Sequence, residues 1–318
     1  MKLALAGDTM LGRGVAEALA SRPLESFVAP DVVAFAQEAD VFVLNLECCI
    51  AEGGTRWPDP RKPFFFRAPP RATELLAHLD VDCVTLANNH ALDFGVTALL
   101  ETLAHLADAG IAAVGAGATV DEARAPVVLE AGGTRLAVVA ATDHPPAYAA
   151  RPDRPGVALV DLTAGTVEPW LRDAVGTAEG DAVLATVHWG PNMVPEPLGY
   201  VRAAAEELRE AGAALVAGHS AHVFHGAGKR VLYDLGDFLD DYAVDPVLRN
   251  DLGLVFLVTF DAGSPVRLEA LPLRLDYCHT RRAEGEDANW VHERFRAASA
   301  TLGTEVAEEA GRLVVEWD

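Results

Sequence analysis

Basic residues are in short supply in this sequence of 318 residues: 25 Lys and Arg stand against 47 Asp and Glu, a formal net charge of −22. Nucleic acid and anionic membrane surfaces need a basic footprint, so neither is expected as a partner. Cysteine is scarce too. The four thiols (Cys48, Cys49, Cys83, Cys278) show no C-x-x-C spacing, and adjacent Cys48 and Cys49 would point to opposite sides of an extended chain. Reduced, buried thiols are therefore expected. No apolar run approaches the ~20 residues that span a bilayer, so no membrane segment is expected. The first strand-like run begins at Leu3, leaving no room for a charged n-region, apolar h-region and cleavage site. A cytoplasmic location is the expectation. Repeats of fixed period, low-complexity tracts and linkers are also missing, and one domain over residues 1–318 is the economical reading.

What is present is an ordinary globular composition, 51% hydrophobic and 23% charged, enough for a sizeable core. Apolar runs at 3–7, 41–46, 81–86, 182–187 and 214–217 predict short buried strands. Helical patterns fall between several of them, around 15–21, 31–38, 72–78, 98–106 and 201–211. Later segments read as hairpins, 127–130 with 135–141 across A-G-G-T and 252–260 with 266–275. Another strand is expected at 157–162, a helix at 288–299 and a last short strand at 312–316. Alternating elements followed by hairpins predict a mixed α/β architecture. Residues 52–71 hold five prolines and the aromatics Trp57, Phe64, Phe65 and Phe66. So long an irregular segment is usually functional or a lid.

Polar residues gather immediately after the strands: Asp8; Asn45 and Glu47; Asn89 and His90; Asp143 and His144; His188; His219, His222 and His225. Six of the ten histidines sit at these strand ends. For any single one, a turn residue bonded to backbone is the simpler reading. Taken together they mark the edge of an α/β sheet where ligands bind. Imidazole, amide and carboxylate suit divalent transition-metal ions better than calcium, and one Asp, one Glu, one Asn and several His suggest two metals sharing a carboxylate. Asp93 has a bland reading as well, as the cap of the amphipathic helix that follows it.

These residues lie in recognisable stretches: G-D-T-M-L-G-R (7–13), N-L-E (45–47), K-P-F-F-F-R-A (62–68), L-A-N-N-H-A-L-D-F-G (86–95), G-A-G (115–117), H-W-G (188–190), G-H-S-A-H (218–222) and Y-D-L-G-D-F (233–238). In that order, the set resembles the CapA-type poly-γ-glutamate capsule-synthesis proteins, a branch of the calcineurin-like metallophosphoesterase superfamily. The resemblance implies a four-layer α/β/β/α sandwich with two mixed β-sheets and a two-metal site (Mn, Fe or Zn) at the strand ends. It implies that Asp8 and His222 hold the first metal, that Glu47 bridges, and that Asn89, His188 and His219 hold the second. His90 would protonate the leaving group, and Asp93 would orient it. Substrate-binding candidates around them are Arg13, Arg67, Asp143, His144, Trp189, His225 and Asp237. For Arg13 and Arg67 a surface ion pair is the alternative, and for Trp189 burial in the core.

Three features depart from the superfamily pattern. Its D-x-H opening is D-T-M here, so the thioether of Met10 replaces a nitrogen ligand, with His144 or Asp237 available to compensate. G-H-S-A-H carries one extra residue, so His219 and His222 no longer alternate and His225 is a possible substitute. Asp93 does not directly follow His90. The implied function is metal-dependent hydrolysis of a phosphoester or a γ-glutamyl amide in an anionic or polyglutamate-like substrate. The alternative is a non-catalytic accessory that binds such a chain.

Overall fold

From Leu3 to Thr9 every residue is buried, with none of the alternation that a solvent-facing side would impose. In the computed structural model, which describes residues 1–317, both faces of this strand are covered. Ala4 and Ala6 face an apolar cluster shared with Val15, Val32, Leu75 and Leu99 of flanking helices. Leu3 and Leu5 face a second cluster, shared with Leu136, Leu184 and Leu215 of another sheet. Period-two side-chain alternation thus divides one apolar run between two cores.

Lys2–Thr9 is central to a ten-stranded sheet. On one side it runs parallel to Val41–Leu46, followed by Cys83–Thr85 and Ala112–Val114. On the other it pairs antiparallel with Leu252–Asp261, which continues through Ser264–Asp276 to Arg312–Glu316. The second sheet has six strands. Thr134–Thr142, Ala182–His188, Leu215–His219 and Val231–Leu232 are parallel, and Val127–Ala131 and Ala227–Gly228 are antiparallel edges. The outer face of this sheet packs on helices Pro169–Thr177 and Gly199–Glu210 through Leu171, Val175, Val201 and Leu208. The layers therefore run helix, sheet, sheet, helix, and both sheets are mixed, as expected. All four cysteines are buried and unpaired.

Two local expectations differ from the structure. The strand expected over 157–162 forms a ladder only at Gly156–Val157; beyond it a single parallel bridge joins Leu159 to Thr142, with Ala158 donating to the Gly115 carbonyl and Val160 to that of Thr142. The helix after the N-N-H turn is Gly95–Asp108, and its N-cap position is Phe94. Asp93 caps nothing, because its carboxylate is engaged elsewhere.

At the edge where the parallel strands end, two close approaches shape the floor. Asp8 N–H donates to the Gly236 carbonyl at 2.9 Å. A Cβ on Gly7 would lie 1.9 Å from that oxygen, so only glycine fits there. This contact seats the short strand Asp237–Leu239 beside the first strand, with Asp237 in register with Asp8.

Candidate metal centre

Parallel strands end on a common edge, so side chains at their carboxyl termini converge. Asp8 is the register partner of Asn45 on one neighbour and of Asp237 on the other. In the second sheet, His188 lies between Thr142 and His219. The two edges meet. Ligand atoms of Asp8, His188 and His219 lie within 4.8 Å of one another, and so do those of Asp8, Glu47 and His222.

Asp8 belongs to both groups. Its Oδ1 is 3.8 Å from Nδ1 of His219, and its Oδ2 is 3.2 Å from Nδ1 of His222. Glu47 spans them as well, with Oε1 3.9 Å from Nε2 of His188 and Oε2 3.8 Å from Nδ1 of His222. Asp237 Oδ1 is 2.8 Å from the same nitrogen of His222. Of the two residues named as compensation for Met10, Asp237 is therefore the one that joins this group. Met10 itself is fully buried in the helix-side core, where its sulfur accepts the Gly12 N–H.

The extra residue in G-H-S-A-H turns neither histidine away. Ser220 at φ 121 and His222 at φ 60 take left-handed backbone, which bends the loop back so that both imidazoles reach Asp8. Such conformations are costly for non-glycine residues and persist where the surroundings enforce them. His225 is the one that points elsewhere, its Nε2 donating to the Val194 carbonyl at 2.9 Å.

Several buried polar atoms here have no hydrogen-bond partner: Asp8 Oδ2, Glu47 Oε1, Asn89 Oδ1, His188 Nε2 and Asp237 Oδ2. Buried polar atoms are almost always satisfied, and four of these, on Asp8, Glu47, His188 and Asp237, belong to residues joined by ion pairs directly or through His222, so they call for a common partner. All five are good donors to a divalent transition-metal ion. The electrostatics point the same way. Burial, and then the charge of Asp8, push the Glu47 carboxyl well above its ordinary range, and burial does the same to Asp237. Burial pulls the imidazoles of His188 and His219 down, His219 to about 4, leaving neutral nitrogens with lone pairs. Burial also works against a charged His222, but Asp237 and Glu47 outweigh it and hold that imidazole well above the usual range.

A hydrogen-bonded chain orients Asp8. Asn45 Nδ2 donates to Asp8 Oδ1 at 2.6 Å, Asn88 Nδ2 donates to Asn45 Oδ1 at 2.9 Å, and Asn88 Oδ1 accepts His90 N–H at 3.0 Å. His90 is 6% exposed, its ring stacked on Phe66 at 4.1 Å. Its Nδ1 lies 2.7 Å from Asp93 Oδ2. Burial lowers the His90 pKa against the opposing pull of Asp93. The intervening residues do not separate the pair, because 90–93 form a turn closed by Asp93 N–H to the His90 carbonyl. Asp93 also accepts Phe66 N–H at 2.6 Å and the Tyr148 hydroxyl at 3.2 Å, and meets Lys62 Nζ at 2.9 Å.

The other sequence candidates are arranged around this centre unevenly. Arg13 is ion-paired with Asp241, its guanidinium 4.9 Å from the Phe66 ring. Arg67 binds the Glu52 and Gly53 carbonyls and lies over Phe94, which ties down the 52–71 loop. Asp143 accepts the Gly190 N–H and the Tyr200 hydroxyl and pairs with His144, whose ring is 5.2 Å from that of His188. Trp189 is packed in the outer core of the second sheet, its indole N–H given to the Tyr233 carbonyl. Sequence reasoning passed over Lys62, Tyr148 and Tyr242. The Tyr242 hydroxyl lies 3.4 Å from Glu47 Oε2, and its ring meets those of His222 and Phe66. Lys62 lies within the quoted K-P-F-F-F-R-A stretch; the two tyrosines carry no local signal.

Residues 2–242 match the family described as bacterial capsule synthesis protein PGA_cap. A probable polyglutamine synthesis accessory protein of Mycobacterium tuberculosis is 34% identical over 300 residues, covering 86% of this chain and 76% of that protein. The PGA biosynthesis protein CapA of Bacillus subtilis is 26% identical over 241 residues, or 74% of this chain and 62% of that one. Among solved structures, a phosphatase from Mycoplasma pneumoniae aligns with a TM-score of 0.52 at 11% identity, over 86% of this chain and 93% of that one. A hypothetical protein from Thermus thermophilus aligns at 0.51 and 19% identity, over 86% and 99%. No helix among the described residues is long and apolar enough to cross a membrane. With this match, these relatives and a phosphoesterase-like sandwich, the chain belongs to the bacterial capsule synthesis protein PGA_cap family.

Proposed function

We propose that the protein is a hydrolase dependent on divalent transition-metal ions (Mn, Fe or Zn), acting on a phosphoester or γ-glutamyl amide bond of an anionic substrate. One observation carries this reading: two ligand groups share Asp8 beside a buried His90–Asp93 pair. Asp8, Glu47, His222 and Asp237 would hold one ion, and Asp8, Glu47, His188, His219 and Asn89 the other. Ions there would supply an acidified water and positive charge against the reacting oxygens.

The remaining work falls to the chain's own residues. With Nδ1–H given to Asp93, His90 keeps Nε2 to hold the proton that the leaving group takes. Stacking on Phe66 fixes the ring's plane, and the Asn88–Asn45 chain fixes the Asp8 carboxylate. Both amide and phosphoester cleavage need that proton at the leaving atom, so the residues support either bond. The names of the relatives favour the glutamyl amide.

The test is elemental analysis of protein purified without chelator, paired with assays on bis-p-nitrophenyl phosphate and a γ-glutamyl anilide. Two metal equivalents with turnover of either substrate are expected. Zero metal, with none taken up on reconstitution, rejects the hydrolase reading. The buried Met10 sulfur, which contributes nothing to the centre, favours a second reading: a non-catalytic accessory that binds a polyglutamate-like chain. One metal equivalent or none, with retained polymer binding and no turnover, would support that instead.

A further inference from the structure

A cavity of about 350 Å³ opens beside the metal centre, lined by Trp57, Lys62, Asn89, His144, Pro145 and Tyr148, with Arg61 and Asp59 at its rim. This is the small end of ligand pockets, room for one side group rather than a length of polymer. Its lining supplies two cations, Lys62 and Arg61, and the imidazole of His144, each beside a carboxylate: Asp93 for Lys62, Asp59 for Arg61 and Asp143 for His144.

Lys62 is the central feature. Its side chain is 14% exposed, with Nζ 2.8 Å from the Asn89 carbonyl and 2.9 Å from Asp93 Oδ1. An ammonium has three N–H donors and no acceptor, so two are taken and the third remains for a group in the cavity. One wall is aromatic. Trp57 and Tyr148 pack edge to face at 4.8 Å, and Nζ lies 5.6 Å from the Tyr148 ring. The far wall reaches the metal centre through Asn89, whose Oδ1 is an orphan, and His144, beside His188.

We propose that this cavity is the specificity subsite of the hydrolase read above: it takes an anionic oxygen group, carboxylate or phosphate, carried on a short apolar stem next to the bond to be cleaved. Lys62 is its anchor, and Trp57, backed by the buried Tyr148, is the apolar wall along which the stem lies. A flexible stem of methylenes packs against a flat aromatic face, while the cation fixes the end.

The test is direct binding to the full chain as purified, followed by tryptophan fluorescence, with glutarate and inorganic phosphate as separate probes. Lys62→Gln should weaken the preferred probe about tenfold or more, the usual consequence of losing a hydrogen bond to a charged group. Lys62→Arg, which keeps the charge, should recover much of the loss. Lys229→Gln, which removes an exposed cation outside the lining, should leave binding unchanged. Protein stripped of metal by chelator should also retain binding, since the anchor is not the metal. Saturable glutarate binding identifies a carboxylate site, and saturable phosphate binding a phosphate site. Equal affinity in wild type and Lys62→Gln, loss only on removal of metal, or no saturable binding of either probe overturns the subsite. The two readings separate cleanly. Absence of metal with Lys62-dependent binding removes the hydrolase and leaves the pocket, whereas two metals and turnover with an indifferent Lys62→Gln do the reverse.

Discussion

Nδ1 of His188 lies 2.8 Å from Nδ1 of His219, between register partners on adjacent parallel strands. Both rings are held neutral by burial. Thr186 Oγ1 sits 3.1 Å from the other nitrogen of His219. With Nε2–H given to that hydroxyl, Nδ1 keeps a lone pair aimed at His188 and Asp8, the arrangement by which outer partners orient metal-binding imidazoles. His219→Ala and Asn89→Ala should therefore each lower the bound metal from two equivalents to about one by elemental analysis. Unchanged stoichiometry in both variants would remove these residues from the ligand set.

Asp8, Glu47 and Asp237 are buried together, and among the described residues their ion-pair partners are imidazoles alone. Clustered buried carboxylates repel one another and lose hydration, so a bound cation should stabilise the fold strongly. A ligand at a hundred times its Kd adds about 2.7 kcal/mol, which for a domain of this size raises Tm by roughly 4 °C. Chelation should lower Tm by about that amount and re-addition of metal should restore it. A melting curve indifferent to both would mean that no ion is held there.

His90 contributes through its proton rather than through metal. His90→Ala should reduce turnover ~10²–10⁴-fold while metal content stays at two equivalents. Asp93→Asn should reproduce part of that loss, because an amide no longer enforces the Nδ1–H tautomer. An undiminished rate in His90→Ala would exclude it as the leaving-group acid.

The strand-end clusters were legible because strands buried on both faces read as unbroken apolar runs, and polar residues directly after them mark the sheet edge. That logic picked out Asp8, Glu47, His188 and His219, whose ligand atoms the fold brings together. It could not see that His219 and His222 both turn inward, because positive φ at Ser220 and His222 leaves no mark in side-chain type. Asp93 looked like a helix cap because capping and buried hydrogen bonding draw on the same residue types. Lys62 and Tyr242 come from irregular segments, where no period betrays which side chain faces inward. Arg67 matched a motif, yet its charge is taken up by the carbonyls of its own loop.

Gly7 couples fold and site in a single contact. An added methyl would meet the Gly236 carbonyl at 1.9 Å, and both partners are backbone, so neither can rotate away. Gly7→Ala should force apart the strands that set Asp8 beside Asp237. The expected result is a stability loss of a few kcal/mol together with lowered metal content. A wild-type Tm and full occupancy would show that the strands separate without consequence.

His225 offers a test of the fold through pH. It is 5% exposed, donates Nε2–H to the Val194 carbonyl, and leaves Nδ1 buried without a partner. Burial, aided by the charges of Arg294 and Arg202, pulls its pKa down to about 4, against about 6.5 for an unfolded histidine. Between those values the unfolded chain binds a proton that the folded chain refuses. The stability contribution is therefore complete above about pH 6.5 and falls as pH drops toward 4, by about 3 kcal/mol over the whole interval. His225→Gln retains a side-chain N–H for Val194 and cannot titrate. In urea unfolding from pH 7 to pH 5, wild type should lose about 1–2 kcal/mol more than the variant, so the gap between their curves should narrow as acid is added. Parallel curves would show that the imidazole takes its proton as readily in the folded protein as outside it.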